Sequence, residues 1–185
     1  YMFVDNKKNK KNEFIINGRN INTDTPTYII AELSCNHNQD IQLAYQLIDA
    51  AAYTGADAVK LQTYTADTMT LNCDKPIFKD CLKGTLWEGK TLYELYSKAY
   101  SPWEWHKELK IYANSKGMDL FSTPFDESSV DFLETLKVPA YKIASFENTH
   151  LPLIRTVANT GKPMIISTGM ASVAELDETV RTARE

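Results

Sequence analysis

The 185-residue sequence predicts an α/β fold of the (β/α)8 TIM-barrel type, with the first five strand–helix units present behind an N-terminal hairpin. Three observations predict it. Short apolar runs alternate with amphipathic helical stretches, the pattern of parallel strands joined by right-handed crossovers. All five runs end in polar residues, which suits a closed barrel whose strand ends share one mouth. In an open sheet only the strands around the switch point share a crevice, and no GxGxxG follows the first run.

The elements follow in order. Phe14–Ile21 reads as a hairpin turning at Asn17-Gly18, since a type I′ turn needs φ > 0 at both positions. Tyr28–Leu33 is the first barrel strand. Asp40–Tyr53 is a helix with Ala44, Leu47, Ile48 and Ala51 on one face. Ala56–Tyr64 is the second strand, where Val59 and Leu61 alternate with Lys60 and Gln62. A long excursion, Thr65–Lys90, is broken by Pro76, Gly84 and Gly89.

Thr91 and Glu94 form a capping box that opens a helix. Ser101-Pro102-Trp103-Glu104 opens another, with Pro102 expected at the first helical position and Gly117 as its stop. Met118–Thr123 is the third strand. Asp126 caps a helix carrying Val130, Leu133 and Leu136. Ala140–Ser145 is the fourth strand, followed by a helix with Leu153, Ile154 and Val157. Met164–Thr168 is the fifth, and a Ser172/Glu175 capping box opens the last helix.

Residues 1–27 therefore divide off as N-terminal segment and hairpin, and 28–185 as a partial barrel domain. A whole barrel takes about 250 residues. The chain opens Tyr1-Met2 and ends in a helical pattern without a stop signal, so the expectation is a fragment of a larger domain.

Composition narrows the class. With 43% hydrophobic residues the chain can bury a core, and a net charge of −4 argues against non-specific nucleic-acid binding. No apolar run approaches a membrane span, and the Asp5–Glu13 stretch carries no apolar segment of a secretory signal. Cys35, Cys73 and Cys81 are odd in number and widely spaced, which reads as reduced thiols in a cytoplasmic protein. His37, His106 and His150 lie far apart and read as packing or surface residues rather than metal ligands.

The polar strand ends carry the chemistry. Lys60 and Lys142 bring two cations to one face, and Ser122, Thr123, Ser145, Ser167 and Thr168 bring hydroxyls. Together they suit a small, highly anionic ligand such as a phosphate ester. Glu32 and Glu147 can orient hydroxyls or move protons. Any one of these has a plainer reading, as an internal ion pair or a helix cap. Buried charge repeated on strand after strand favours function. Lys142 and Ser145 differ in parity, so one of them sits past the regular strand or at a bulge.

At these residues the sequence resembles the sialic acid synthase family. The motifs are Ile30-Ala31-Glu32, Asn36-His37, Val59-Lys60-Leu61-Gln62-Thr63, Phe121-Ser122-Thr123-Pro124-Phe125, Tyr141-Lys142-Ile143-Ala144-Ser145-Phe146-Glu147 and Ile166-Ser167-Thr168-Gly169-Met170. Within the family the likeness is to pseudaminic acid synthases, through Gly84–Tyr93 and Tyr100–Lys107. The resemblance implies a barrel that condenses phosphoenolpyruvate (PEP) with an acetamido sugar to make a nonulosonic acid. It implies Glu147, Glu32 and Lys142 as catalytic residues. Lys60, Thr123, Lys142, Ser145 and Ser167 would hold PEP, with Gln62 and Phe125 lining the pocket. Glu32 would contact the sugar, and Glu147 would handle the attacking water.

It also implies a divalent metal, Mn2+ or Mg2+, polarising the sugar aldehyde in the full-length enzyme, with ligands beyond Glu185, and a homodimer when full length. Gln39 stands where the family usually has glycine, which puts the shape of the first strand–helix loop in question. Three readings compete with a pseudaminate synthase. They are an N-acetylneuraminate or legionaminate synthase, a Schiff-base aldolase using Lys60 or Lys142, and an inactive half-barrel serving oligomerisation.

Overall fold

Asn17 and Gly18 both take positive φ, 47° and 81°, and turn strand β2 (Phe14–Ile16) back onto β3 (Arg19–Ile21). The hairpin is thus the one its Asn-Gly predicts. A computed structural model of the protein describes residues 2–4 and 14–185. The Asp5–Glu13 stretch read above lies outside the described residues.

Five parallel strands follow: β4 (Ile30–Glu32), β5 (Ala58–Thr63), β6 (Asp119–Pro124), β7 (Tyr141–Ile143) and β8 (Met164–Ile166). They pair in sequence order as a curled half-barrel. One strand that no sequence pattern announces, β1 (Met2–Val4), adds antiparallel to the free side of β8. Several barrel strands are shorter than expected. Residues 144 and 145 leave the fourth ladder because Ser145–Glu147 winds into a 3-10 turn.

Helices alternate with these strands. They are α1 (Ile41–Tyr53), α4 (Trp105–Ser115), α5 (Glu127–Thr135), α6 (Leu151–Asn159) and α7 (Val173–Arg184). Asp126 and Ser172 cap their helices as expected, while Asp40, read as the first helical residue, is the N-cap of α1. The excursion holds a short helix, α2 (Ala66–Met69), and two 3-10 turns that the sequence did not announce. Helix α3 (Leu92–Ala99) then opens on the predicted Thr91/Glu94 box.

Helix α4 corrects one expectation. It starts at Trp105, not at Pro102. The Pro102 carbonyl instead accepts from the Trp105 amide and lies 3.1 Å from His106 Nδ1, so a turn precedes the helix.

Strand alternation divides the core. Val59, Leu61 and Leu120 face outward onto α1 and α4. Ala58 and Phe121 face the barrel interior, where Phe14 and Ile16 of the hairpin join them. The hairpin therefore sits at the N-terminal end of the strands. Arg19 contacts Asp57, Asn17 donates to Asp119 at 2.6 Å, and the Tyr28 hydroxyl donates to Asp119 at 2.6 Å. With one end plugged, the C-terminal end is the open mouth.

Candidate functional site: the mouth of the half-barrel

The register decides what reaches the mouth. Glu32 pairs with Lys60, and Gln62 with Thr123, so these four point inward together. Ser122 pairs with Tyr141, which puts Thr123 and Lys142 at one level. Lys142 pairs with Ile165, so Ser167 continues the inward side of β8.

Lys60 Nζ contacts the Glu32 carboxylate and lies 3.4 Å from Thr123 Oγ1. The second oxygen of Glu32 accepts from the Ser34 amide and hydroxyl, each at 3.0 Å. Gln62 Nε2 donates to Ser34 Oγ at 3.3 Å. Lys142 Nζ donates to Ser167 Oγ at 2.5 Å and to the Ile143 carbonyl at 2.6 Å. Ser145, Ser167, Thr168 and Gly169 line a pocket of about 240 Å³ beside Lys142. A Cβ on Gly169 would lie 3.1 Å from Ser145 Oγ, so the backbone passes close to that hydroxyl.

The electrostatics favour an anion. Burial, with the Lys142 cation behind it, pushes Lys60 down to about 8. The Glu32 partner is 40% exposed, so water screens its support. Burial likewise pushes Lys142 down to about 8, against the pull of Glu147. Burial raises the Glu147 carboxyl, opposed by its own backbone amide, His150 and Lys142. Glu147 Oε2 is buried with no hydrogen-bond partner, which marks a carboxyl able to take up a proton.

The structure brings together most of the predicted set. Glu32, Lys60, Gln62 and Thr123 form one side of the mouth; Lys142, Ser145, Ser167 and Glu147 form the other. Phe125 packs edge-on against Tyr64, their centroids 5.5 Å apart, just past Thr123. The parity question resolves in favour of Lys142, which is on the strand, with Ser145 in the 3-10 turn after it.

Ser122 is a correction. It faces outward, fully buried, 2.6 Å from Thr63 Oγ1, which is itself 2.9 Å from His106 Nε2. Its parity with Leu61 across the ladder carried that information. His37 and His106 are both buried and hydrogen-bonded, in keeping with packing roles.

Three residues of the mouth went unread. Tyr64 shares parity with Lys60 and Gln62, a signal that was available. Asn148, 2% exposed, donates to the Ser167 and Gly169 carbonyls at 3.2 and 3.0 Å and so holds the loop after β8. Tyr96 comes from α3, and no local pattern links it to the strand ends.

The first strand–helix loop keeps a left-handed residue at position 39 although it is not glycine. Gln39 has φ 60° and Asn38 φ 48°. Among the described residues no three His, Cys, Asp or Glu side chains gather to hold a metal ion. The described residues thus offer no ligand set of their own for the divalent metal that the resemblance implies, whose ligands it places beyond Glu185. No helix among them is long and apolar enough to cross a membrane.

Comparison with known proteins follows the same line. The chain is 48% identical over 159 residues to a pseudaminic acid synthase of Helicobacter pylori, covering 86% of this chain and 46% of that protein. It is 42% identical to an N,N′-diacetyllegionaminic acid synthase of Legionella pneumophila, covering 85% of this chain and 44% of that one. The chain thus spans somewhat less than half the length of these curated relatives. Among solved structures, an N-acetylneuraminic acid synthetase from Leptospira borgpetersenii in complex with citrate matches with a TM-score of 0.79. That match has 28% identity over 93% of this chain and 55% of the other. Residues 47–185 match the NeuB family. Motif order, half-barrel architecture and sequence identity agree that this chain belongs to the NeuB family.

Proposed function

We propose that the chain forms the PEP-holding side of a nonulosonate synthase. The reaction condenses PEP with an acetamido sugar, 2,4-diacetamido-2,4,6-trideoxy-altrose, to give pseudaminic acid and phosphate. One observation carries the reading: the part-buried Lys60 and the buried Lys142 share one mouth, both pushed down to about 8 by desolvation, beside the hydroxyls of Thr123, Ser145 and Ser167. A ligand with a phosphate and a carboxylate would neutralise both.

In this reading the PEP methylene carbon attacks the aldehyde carbon of the open-chain sugar. The carbonyl electron pair goes to oxygen, which takes a proton. Water then adds to the cationic carbon that carried the enol, and Glu147 accepts its proton. The tetrahedral intermediate expels phosphate by C–O cleavage, the proton of its new hydroxyl passing to the departing phosphate, and becomes the keto acid. Glu32 orients the sugar and pairs with Lys60.

The test uses the intact protein with Mn2+ supplied. Phosphate is released from PEP only when the acetamido sugar is present. Absence of release with pseudaminate, legionaminate and neuraminate precursors alike overturns the reading. The lowered lysines also suit a Schiff-base aldolase. Borohydride in the presence of a carbonyl substrate would trap a secondary amine on Lys60 or Lys142 in that case, and would leave the synthase unmodified.

A further inference from the structure

Helix α3 lies outside the strand–helix repeat, yet it delivers an aromatic side chain to the mouth. The Tyr96 ring stands 5.6 Å from the Tyr64 ring at 83°, and Tyr64 meets Phe125 at 5.5 Å and 84°. Tyr64 is 2% exposed, whereas Tyr96 and Phe125 are half-buried and keep a free side. The Tyr64 hydroxyl is 3.3 Å from Cys35 Sγ, which extends the wall toward the Glu32 side. Burial raises the Tyr96 hydroxyl, and the charges of Cys81 and Glu147 add to it, so Tyr96 is within electrostatic reach of Glu147.

The position of α3 is held at both ends. Its N-terminus has the Thr91/Glu94 box. At its C-terminus Gln39 Nε2 donates to the Lys98 carbonyl at 3.1 Å and to the Tyr100 carbonyl. These belong to the last-turn carbonyls that no helical N–H reaches. Gln39 attains them from its left-handed backbone, with its own amide bound to His37 Nδ1 at 3.1 Å. A glycine there would adopt the backbone more easily and lose the clip.

We infer that Tyr96 is a specificity-determining residue for the second substrate. With Tyr64 and Phe125 it forms an aromatic wall at the mouth that packs a methyl substituent of the sugar, and Gln39 is the positioning residue that sets the wall by capping α3. The inference rests on the synthase reading above. Two methyl groups share this chemistry, that of an acetamido group and that of a 6-deoxy carbon.

Steady-state kinetics on the intact enzyme test it. Tyr96→Ala is expected to raise the KM for the sugar about tenfold, as loss of one hydrophobic contact does, with the KM for PEP changed by less than roughly twofold. Tyr96→Phe restores the wild-type value. Gln39→Gly shifts the sugar KM in the same direction by a smaller factor. The Tyr96→Ala penalty vanishes on a formamido analogue if the acetamido methyl is the group packed, and on the sugar lacking C6 if that methyl is. A sugar KM unmoved by Tyr96→Ala, an equal rise in the KM for PEP, or a penalty that persists on both analogues overturns the inference. A wild-type enzyme that releases no phosphate overturns the synthase reading instead.

Discussion

Lys142 and Ser167 meet across β7 and β8, the ammonium donating to the hydroxyl oxygen at 2.5 Å. Because that oxygen accepts from a cation, its own O–H is left to donate, and it donates more strongly for being polarised. Lysine and serine thus act as one relay of positive charge toward the pocket at Ser145 and Gly169. Ser167→Ala is expected to weaken PEP binding about tenfold and Lys142→Met about a hundredfold, the scale of a lost charge-assisted contact. Calorimetric titration of PEP into each variant measures both.

The same lysines make binding depend on pH. Both lie near 8 in the ligand-free protein because burial disfavours their charge. An anion needs them protonated, so affinity for PEP is expected to be high below pH 8 and to fall as pH rises through that value. Binding also raises their pKa, so protons are taken up on binding above pH 8. Titrations in buffers of different ionisation enthalpy would reveal that uptake, and a pH-independent affinity between 7 and 9.5 would contradict it.

Gly169 is required for space rather than for backbone freedom, since its added Cβ would come 3.1 Å from Ser145 Oγ. Gly169→Ala should displace the Ser145 hydroxyl by a few tenths of an ångström. PEP affinity is expected to drop about tenfold, in keeping with the loss of one well-placed hydrogen bond. The melting temperature should move by only about 2 °C. Paired melting and binding measurements separate the two effects.

His106 gives the fold an acid limit. Burial holds its imidazole down to about 4, against the Pro102 carbonyl and Glu104, which pull it up. The unfolded chain takes that proton near 6.5, so below this pH the unfolded state binds more protons than the folded one. Stability is complete above about pH 7 and falls between 6.5 and 4, by up to ~3 kcal/mol. His106→Gln, which can still bond Thr63, should flatten that slope. Urea denaturation from pH 4.5 to 7.5 on both proteins measures it.

Much of the fold was legible because it is written in short-range terms. Asn17-Gly18 can only turn one way, Thr91 and Glu94 satisfy each other within four residues, and Lys60 and Gln62 declare one face by alternating with Val59 and Leu61. The limits of reading were equally physical. Pro102 looked like a helix start because its missing N–H costs nothing there, but its carbonyl was taken by His106 and the turn won. Ser122 looked like an anion ligand because it is polar and near a strand end. Only its ladder partner, Leu61, reveals that it faces away.

What the sequence by itself determined is the repeat of five strands with polar ends, the hairpin that turns at Asn17-Gly18, and the residue types of the mouth. These follow from periodicity, capping and turn chemistry, all of which act over a few residues. What only the tertiary structure decided is which of those polar groups meet. The pairing of Lys142 with Ser167, the hold of Asn148 on the loop after β8, and the reach of Gln39 to the end of α3 join residues about 20 to 60 positions apart. No local propensity encodes such contacts. They exist because the register of the curled sheet and the packing of α3 bring those side chains within hydrogen-bonding distance.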